Sequence, residues 1–349
     1  MITELARAHT LPSRFYTSEE AAAREREQVF ASSWQYVGPA DRVAAPGQFL
    51  TAVVADEPVL VVRGEDGVLR AMSNVCRHRA SFVACEAFGT ARRLKCPYHG
   101  WTYGLDGRLK GTPEFDGVED FDTASMRLPE IPVQVHGPFV FVRINGDEAL
   151  CIPGFLEHLA PHAAGLRHAR QVAYEVGCNW KVYVDNYLDG GYHVAHLHPG
   201  LHGVLDYPRY YCELHDGWNV QVSPLRAEER PRGKAVGDVR HGDTAYYYWL
   251  YPNFMINCYS GLMDTNRVVP IDVNRCVVLF DYYFPEGTQQ EKVDRSIEVA
   301  GHIQDEDKDI CEAVQRGLKS RWYDTGRYSV RRENGQHQFH QMLIQNSAR

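Results

Sequence analysis

Apolar positions along this chain fall into two textures. From about residue 40 to 150 they come in short runs broken by turns. Val59 to Arg63 is followed by Gly64-Glu65-Asp66-Gly67 and then Val68 to Met72. Leu105-Asp106-Gly107-Arg108 is a second hairpin signal, and Pro138 to Ile144 reads as a further strand. Short extended runs punctuated by Gly and Asp predict a small β-rich module. Ahead of it, Thr17-Ser18-Glu19-Glu20 has the form of a capping box and predicts a helix from Ala21 to Trp34.

Beyond Pro153 the pattern is mixed. Trp180, Val184, Tyr187 and Leu188 keep helical spacing until Gly190-Gly191 stops them. Tyr246 to Tyr251, Arg267 to Ile271 and Cys276 to Phe284 predict strands. Gln290 to Leu318 is the longest periodic stretch. Within it Val293, Ile297, Ala300, Gln304, Asp307, Cys311, Val314 and Leu318 step alternately by four and three, the stripe of a helix packed on a core. Asp307 is the misfit, because a carboxylate on a buried stripe is costly unless a cation, an ion-pair partner or strong donors face it. Asp305, Glu306, Lys308 and Asp309 fall on the flanks.

Length and charge narrow the picture. The 349 residues suggest two domains at roughly 150 residues each. With 37 basic against 45 acidic residues the formal charge is −8, which argues against a nucleic-acid partner needing a basic face. No apolar run approaches the roughly 18 residues of a membrane helix, and Met1 to Arg14 lacks the apolar core of a secretory signal. Nine dispersed cysteines do not resemble a disulfide framework, so a cytoplasmic location without membrane association is expected. Sixteen histidines raise the question of metal.

Two constellations answer it. Cys76-Arg77-His78 and Cys96-Pro97-Tyr98-His99 each place a thiol and an imidazole on a loop between predicted strands. Such loops can hold one zinc ion on all four donors, or a [2Fe–2S] cluster with thiolates on one iron and imidazoles on the other. A zinc finger would put its histidine pair on a helix, whereas here each half repeats Cys-then-His. The pattern C-x-H, an intervening stretch, then C-x-x-H followed by Gly-Trp resembles the Rieske motif.

The second constellation is Asp185-Asn186-Tyr187-Leu188-Asp189-Gly190-Gly191-Tyr192-His193-Val194-Ala195-His196-Leu197-His198. Asp185, Asp189 and His193 recur every four residues, so a continuing helix would line them on one face. His193 and His196 would be helical neighbours. His193 and His198 would lie about 140° apart, so their pairing requires the helix to loosen or end. Two histidines and Asp307 would form a facial triad for non-haem iron.

Taken together, these segments, with Tyr251 to Thr265, Glu306 to Leu318 and Phe339 to Leu343, resemble the catalytic α subunits of Rieske non-haem iron oxygenases over nearly the whole chain, and within that class the choline monooxygenases. The resemblance implies an α+β fold. A β-rich Rieske [2Fe–2S] domain (40–150) is inserted into a helix-grip catalytic domain with an antiparallel sheet, formed by residues 1–39 and 151–349. It assigns Cys76, His78, Cys96 and His99 to the cluster, and His193, His198 and Asp307 to mononuclear Fe(II), leaving His196 as a neighbour.

The class also uses a carboxylate to link the two iron centres across subunits, in many members three residues before the first iron histidine. Here that position is Gly190, so Asp189, and after it Asp185, become the candidates; either could instead orient an iron histidine. The implied partners are a flavin reductase or ferredoxin carrying NAD(P)H-derived electrons, O₂, a small-molecule substrate, and two further copies in a homotrimer. For a quaternary ammonium substrate an aromatic cage is needed, at roughly 0.5–2 kcal/mol per ring. Tyr246, Tyr248 and Trp249 are the expected cage, although sheet packing explains them equally well. Choline would be hydroxylated to betaine aldehyde. N-demethylation, or an aromatic or natural-product substrate, would use the same iron. An electron carrier would need only about 100 residues and leave Asp307 unexplained, and a structural zinc protein would be colourless.

Overall fold

The computed structural model of the chain describes residues 4–226 and 234–347. Residues 1–3, 227–233 and 348–349 of the expected domains lie outside the described residues. The chain divides into two compact units, one from Phe30–Leu150 and one from Met1–Val29 with Cys151–Arg349. No helix is long and apolar enough to cross a membrane among the described residues.

The Phe30–Leu150 unit is built of three small antiparallel sheets. In the largest, Gln48–Val54 pairs with Glu57–Arg63, which pairs with Leu69–Ser73 across the Gly64–Gly67 turn. In another, Leu94–Lys95, Thr102–Tyr103 and Leu109–Gly111 form two successive hairpins. The Cys96–His99 loop is the tip of the first of these hairpins. Cys76 and Cys96 belong to one buried apolar cluster with Trp101, Tyr103, Leu105 and Leu128, so the thiols stand on core rather than on mobile loop.

The second unit has a seven-stranded antiparallel sheet. Its order is Leu166–Val176, Arg275–Pro285, Leu262–Asp272, Phe254–Tyr259, Thr244–Leu250, Trp218–Pro224 and Tyr211–His215. The helix Gln290–Gly317 packs on the short helix Trp180–Tyr187 and on the edge strand Leu166–Val176. The unit is α+β, as expected. Its stripe drifts from the ideal: Ser296, Val299 and Gln315 are buried, whereas Val314 is exposed. At the N-terminus the helix begins at Glu19, with Ser18 rather than Thr17 accepting from the Ala21 N–H, and continues as a wider π-helical turn over Arg26–Ala31.

Candidate functional site

The two Cys-His loops have the same backbone design. Cys76 N–H donates to Ser81 O and Ala80 N–H to Cys76 O; Cys96 N–H donates to Trp101 O and Gly100 N–H to Cys96 O. In both, the fourth residue after the cysteine is left-handed, at φ 57° for Ala80 and 75° for Gly100. A non-glycine residue held there is strained and must be imposed by its surroundings. The paired loops bring the His78 and His99 rings to 4.6 Å, and Trp101 stacks on His78 at 4.8 Å.

The Tyr103 hydroxyl lies 3.3 Å from Cys76 Sγ and accepts from Arg77 N–H. Burial, then its bond to Cys76, pushes the Tyr103 pKa up, so it stays a neutral donor to sulfur. His78 Nδ1 is buried without a hydrogen-bond partner among the described residues. An orphaned imidazole nitrogen beside two buried thiols fits a metal cluster.

The second site depends on a broken helix. Trp180–Tyr187 ends before Asp189, and Gly190 and Gly191 follow at φ 68° and 70°. A short helix, Val194–Leu197, then carries the chain to His198. The break removes the 140° separation and brings the His193 and His198 rings to 4.9 Å. Both face Asp307 on the long helix, with Asp307 Oδ1 at 3.0 Å from His198 Nε2 and 3.9 Å from His193 Nε2. One donor atom from each of the three lies within 4.8 Å of the others. His196 is exposed and takes no part.

The protons on these histidines are held from behind. His193 Nδ1–H donates to Asp189 Oδ2 at 2.6 Å, and His198 Nδ1–H to Glu306 Oε2 at 2.6 Å. With Nδ1–H so engaged, each imidazole can turn an Nε2 lone pair toward the centre. Two lone pairs and a carboxylate oxygen converging on one point repel unless a cation lies between them, so these residues fit a divalent metal. Burial alone would lower the pKa of His198, but Asp307 and then Glu306 outweigh it and raise it, another sign of a site that attracts positive charge. Asn186 Nδ2–H orients Asp307 by donating to Oδ1 at 2.7 Å.

Asp189 and Asp185 separate clearly. Asp189 also accepts from the backbone N–H groups of Tyr192 and His193, which fixes the turn after the glycines. Asp185 is turned away from the triad. It accepts from Tyr16 O–H at 2.6 Å and from His340 Nε2–H at 2.8 Å, tying the N- and C-terminal segments to the helix. Gly190 can carry no carboxylate at all, because a Cβ there would overlap the Arg332 carbonyl oxygen.

The triad faces a cavity of about 680 Å³, counted to its open mouth, whose walls include Tyr187, Tyr210, Tyr247, Phe280 and Arg240. A second cavity is lined by residues that include Asp185, Asp189, Tyr16 and Glu333. The expected cage is not there. Tyr246 and Tyr248 occupy the opposite face of their strand, where Tyr246 packs on His162 at 4.1 Å and Tyr248 bonds His158 at 2.8 Å. Trp249 packs on Phe339 and donates to Pro252 O. Strand alternation puts Tyr247, rather than Tyr246 or Tyr248, at the cavity; Trp249 shares the face of Tyr247 but lies two residues along, against Phe339.

Glu306, His340 and Asn186 were missed by sequence reasoning. Glu306 was set aside as a flank residue, yet its longer side chain reaches His198. His340 lies in the Phe339–Leu343 segment, whose resemblance carried no role.

Residues 163–348 match the ring hydroxylating alpha subunit (catalytic domain) family, and residues 33–122 the Rieske [2Fe-2S] domain. The chain is 36% identical to the chloroplastic choline monooxygenase of Arabidopsis thaliana, across 98% of this chain and 84% of that one. It is 31% identical to the carnitine monooxygenase oxygenase subunit of Escherichia coli, across 97% and 94%. A quaternary ammonium Rieske monooxygenase solved in complex with L-carnitine superposes with a TM-score of 0.86 at 31% identity, covering 99% of this chain and 97% of that one.

Proposed function

Because the chain belongs to the Rieske non-haem iron oxygenases of the ring-hydroxylating α-subunit family, we propose that it is a monooxygenase that hydroxylates a small quaternary ammonium compound. The observation that carries this reading is the pairing of the His193–His198–Asp307 group with a cavity walled by Tyr187, Tyr210, Tyr247 and Phe280. A quaternary ammonium has no N–H to donate, so aromatic faces are its natural contact, and burial keeps the three tyrosine hydroxyls neutral.

Cys76, His78, Cys96 and His99 would hold the [2Fe–2S] cluster, and His193, His198 and Asp307 the mononuclear iron. When bound, the cluster supplies single electrons and the iron supplies O₂ activation for insertion of one oxygen atom into a C–H bond. Asp189 and Glu306 hold the two histidine Nδ1 protons and so keep each Nε2 available. Asp189 also lines the second cavity and is bonded to His193, which lines the first. This is the position expected of a group that joins the iron to an electron-delivering surface of a neighbouring copy. A homotrimer fed by a flavin reductase or ferredoxin completes the reading.

The test is product analysis with choline, betaine and L-carnitine in the presence of NAD(P)H and a surrogate reductase. Oxidation of at least one of them, dependent on O₂, is expected. Turnover of neutral aromatics with none of the three would overturn the substrate class.

A further inference from the structure

The cavity at the triad holds more hydrogen-bond donors than an alcohol such as choline can use. Arg240 lines it and is 6% exposed. A guanidinium has five N–H donors and does not lose its charge. Here its one hydrogen bond among the described residues is a long one, Nη1–H to Tyr259 O–H at 3.4 Å, with the same ring 5.2 Å beneath it. No carboxylate lies within ion-pair distance of Arg240 among the described residues. Asp264 balances its charge from further off; its Oδ1 accepts from Asn257 and Asn266, and its Oδ2 has no partner among the described residues.

Gln304 lines the same cavity one helical turn before Asp307 and is 3% exposed. Its Oε1 accepts from Tyr183 O–H at 2.6 Å, and its Nε2 has no partner among the described residues. Buried donors left unmade are costly, and a buried cation beside a second cation costs more. Choline would bring a positive charge and no anion into this space. A carboxylate would satisfy both donors and leave the ammonium for the aromatic wall.

We propose that Arg240 determines specificity, receiving, with help from Gln304, the carboxylate of a zwitterionic quaternary ammonium substrate. This rests on the quaternary ammonium reading above and narrows it from choline to the betaine type. Choline and betaine are close in size and differ at the group in question, which makes them the natural pair of probes.

The experiment is anaerobic calorimetric titration of the iron-loaded protein with choline, betaine and L-carnitine. The wild type should bind a carboxylate-bearing compound roughly tenfold or more tighter than choline, the scale of one charge-assisted hydrogen bond. Arg240→Gln should abolish that preference and Arg240→Lys retain part of it. Should Arg240→Gln not fold, Gln304→Leu carries the test: it should weaken binding of the carboxylates more than binding of choline, by less than the roughly tenfold expected of Arg240. Choline binding as tightly as betaine and L-carnitine to the wild type, or equal weakening of all three in a folded Arg240→Gln, overturns this inference and leaves the quaternary ammonium reading standing. Binding of none of the three overturns both.

Discussion

All four proposed cluster donors lie between Cys76 and His99, on two loops closed by the same pair of backbone hydrogen bonds and rooted in one apolar cluster. The triad instead joins His198 to a carboxylate 109 residues away, and both its histidines are steadied by acids from different elements. The first site is shaped by local backbone and by core packing. The second is shaped by side chains that meet only when a helix, a glycine break and a second helix have all been placed. A single side-chain change should therefore unload the second site while leaving the first intact.

Asp307→Ala is the most severe way to probe this difference. It should lose the mononuclear iron and all turnover yet keep the rhombic electron paramagnetic resonance signal of the reduced cluster; surviving turnover would remove Asp307 from the site. Asp189→Asn comes next, because it disturbs the hydrogen bond behind His193. Turnover should fall roughly 10- to 100-fold with the cluster signal unchanged, whereas Asp185→Asn, anchored to Tyr16 and His340, should lower thermal stability with little effect on iron content. An Asp185 variant that drained the iron would reverse the assignment.

Glu306→Gln should weaken iron retention by about tenfold in competition with a ferrous chelator, the low end of what an outer carboxylate contributes. The smallest effect concerns the aromatic strand. Tyr248→Phe should cost about 1 kcal/mol in denaturant unfolding through its lost bond to His158, with substrate affinity unchanged. Tyr247→Leu should weaken affinity instead, and the opposite order would place the substrate on the other face of the strand.

How much of this could be read in advance follows the same division. The two Cys-His loops proposed to hold the cluster were legible as spacing, because contiguous residues make them. Asp307 was legible as a carboxylate on an apolar stripe, although Val314, counted in that stripe, proved exposed. Choosing His198 over His196 depended on resemblance, since the glycine-induced break cannot be drawn from an ideal helix. Glu306 was hidden because helical periodicity says where a side chain starts and not how far it reaches. Tyr246 and Tyr248 were misplaced because an aromatic run does not declare which face is turned to a cavity, and Trp249 because sharing that face does not say where along the strand the cavity ends. The edge strand Leu166–Val176 carries too many charged residues to show a clear alternation, so it went unseen. The strands Tyr211–His215 and Trp218–Pro224 were not anticipated either.

In the function proposed, one chain pairs a reducible cluster with an iron site that oxidises a quaternary ammonium compound. A single-turnover measurement addresses it without any reductase. Protein reduced anaerobically, freed of excess reductant and mixed with O₂ and betaine, L-carnitine or choline should oxidise its cluster and form product in proportion to its mononuclear iron. Cluster oxidation with no product from any of the three, in protein loaded at both sites, would contradict the account.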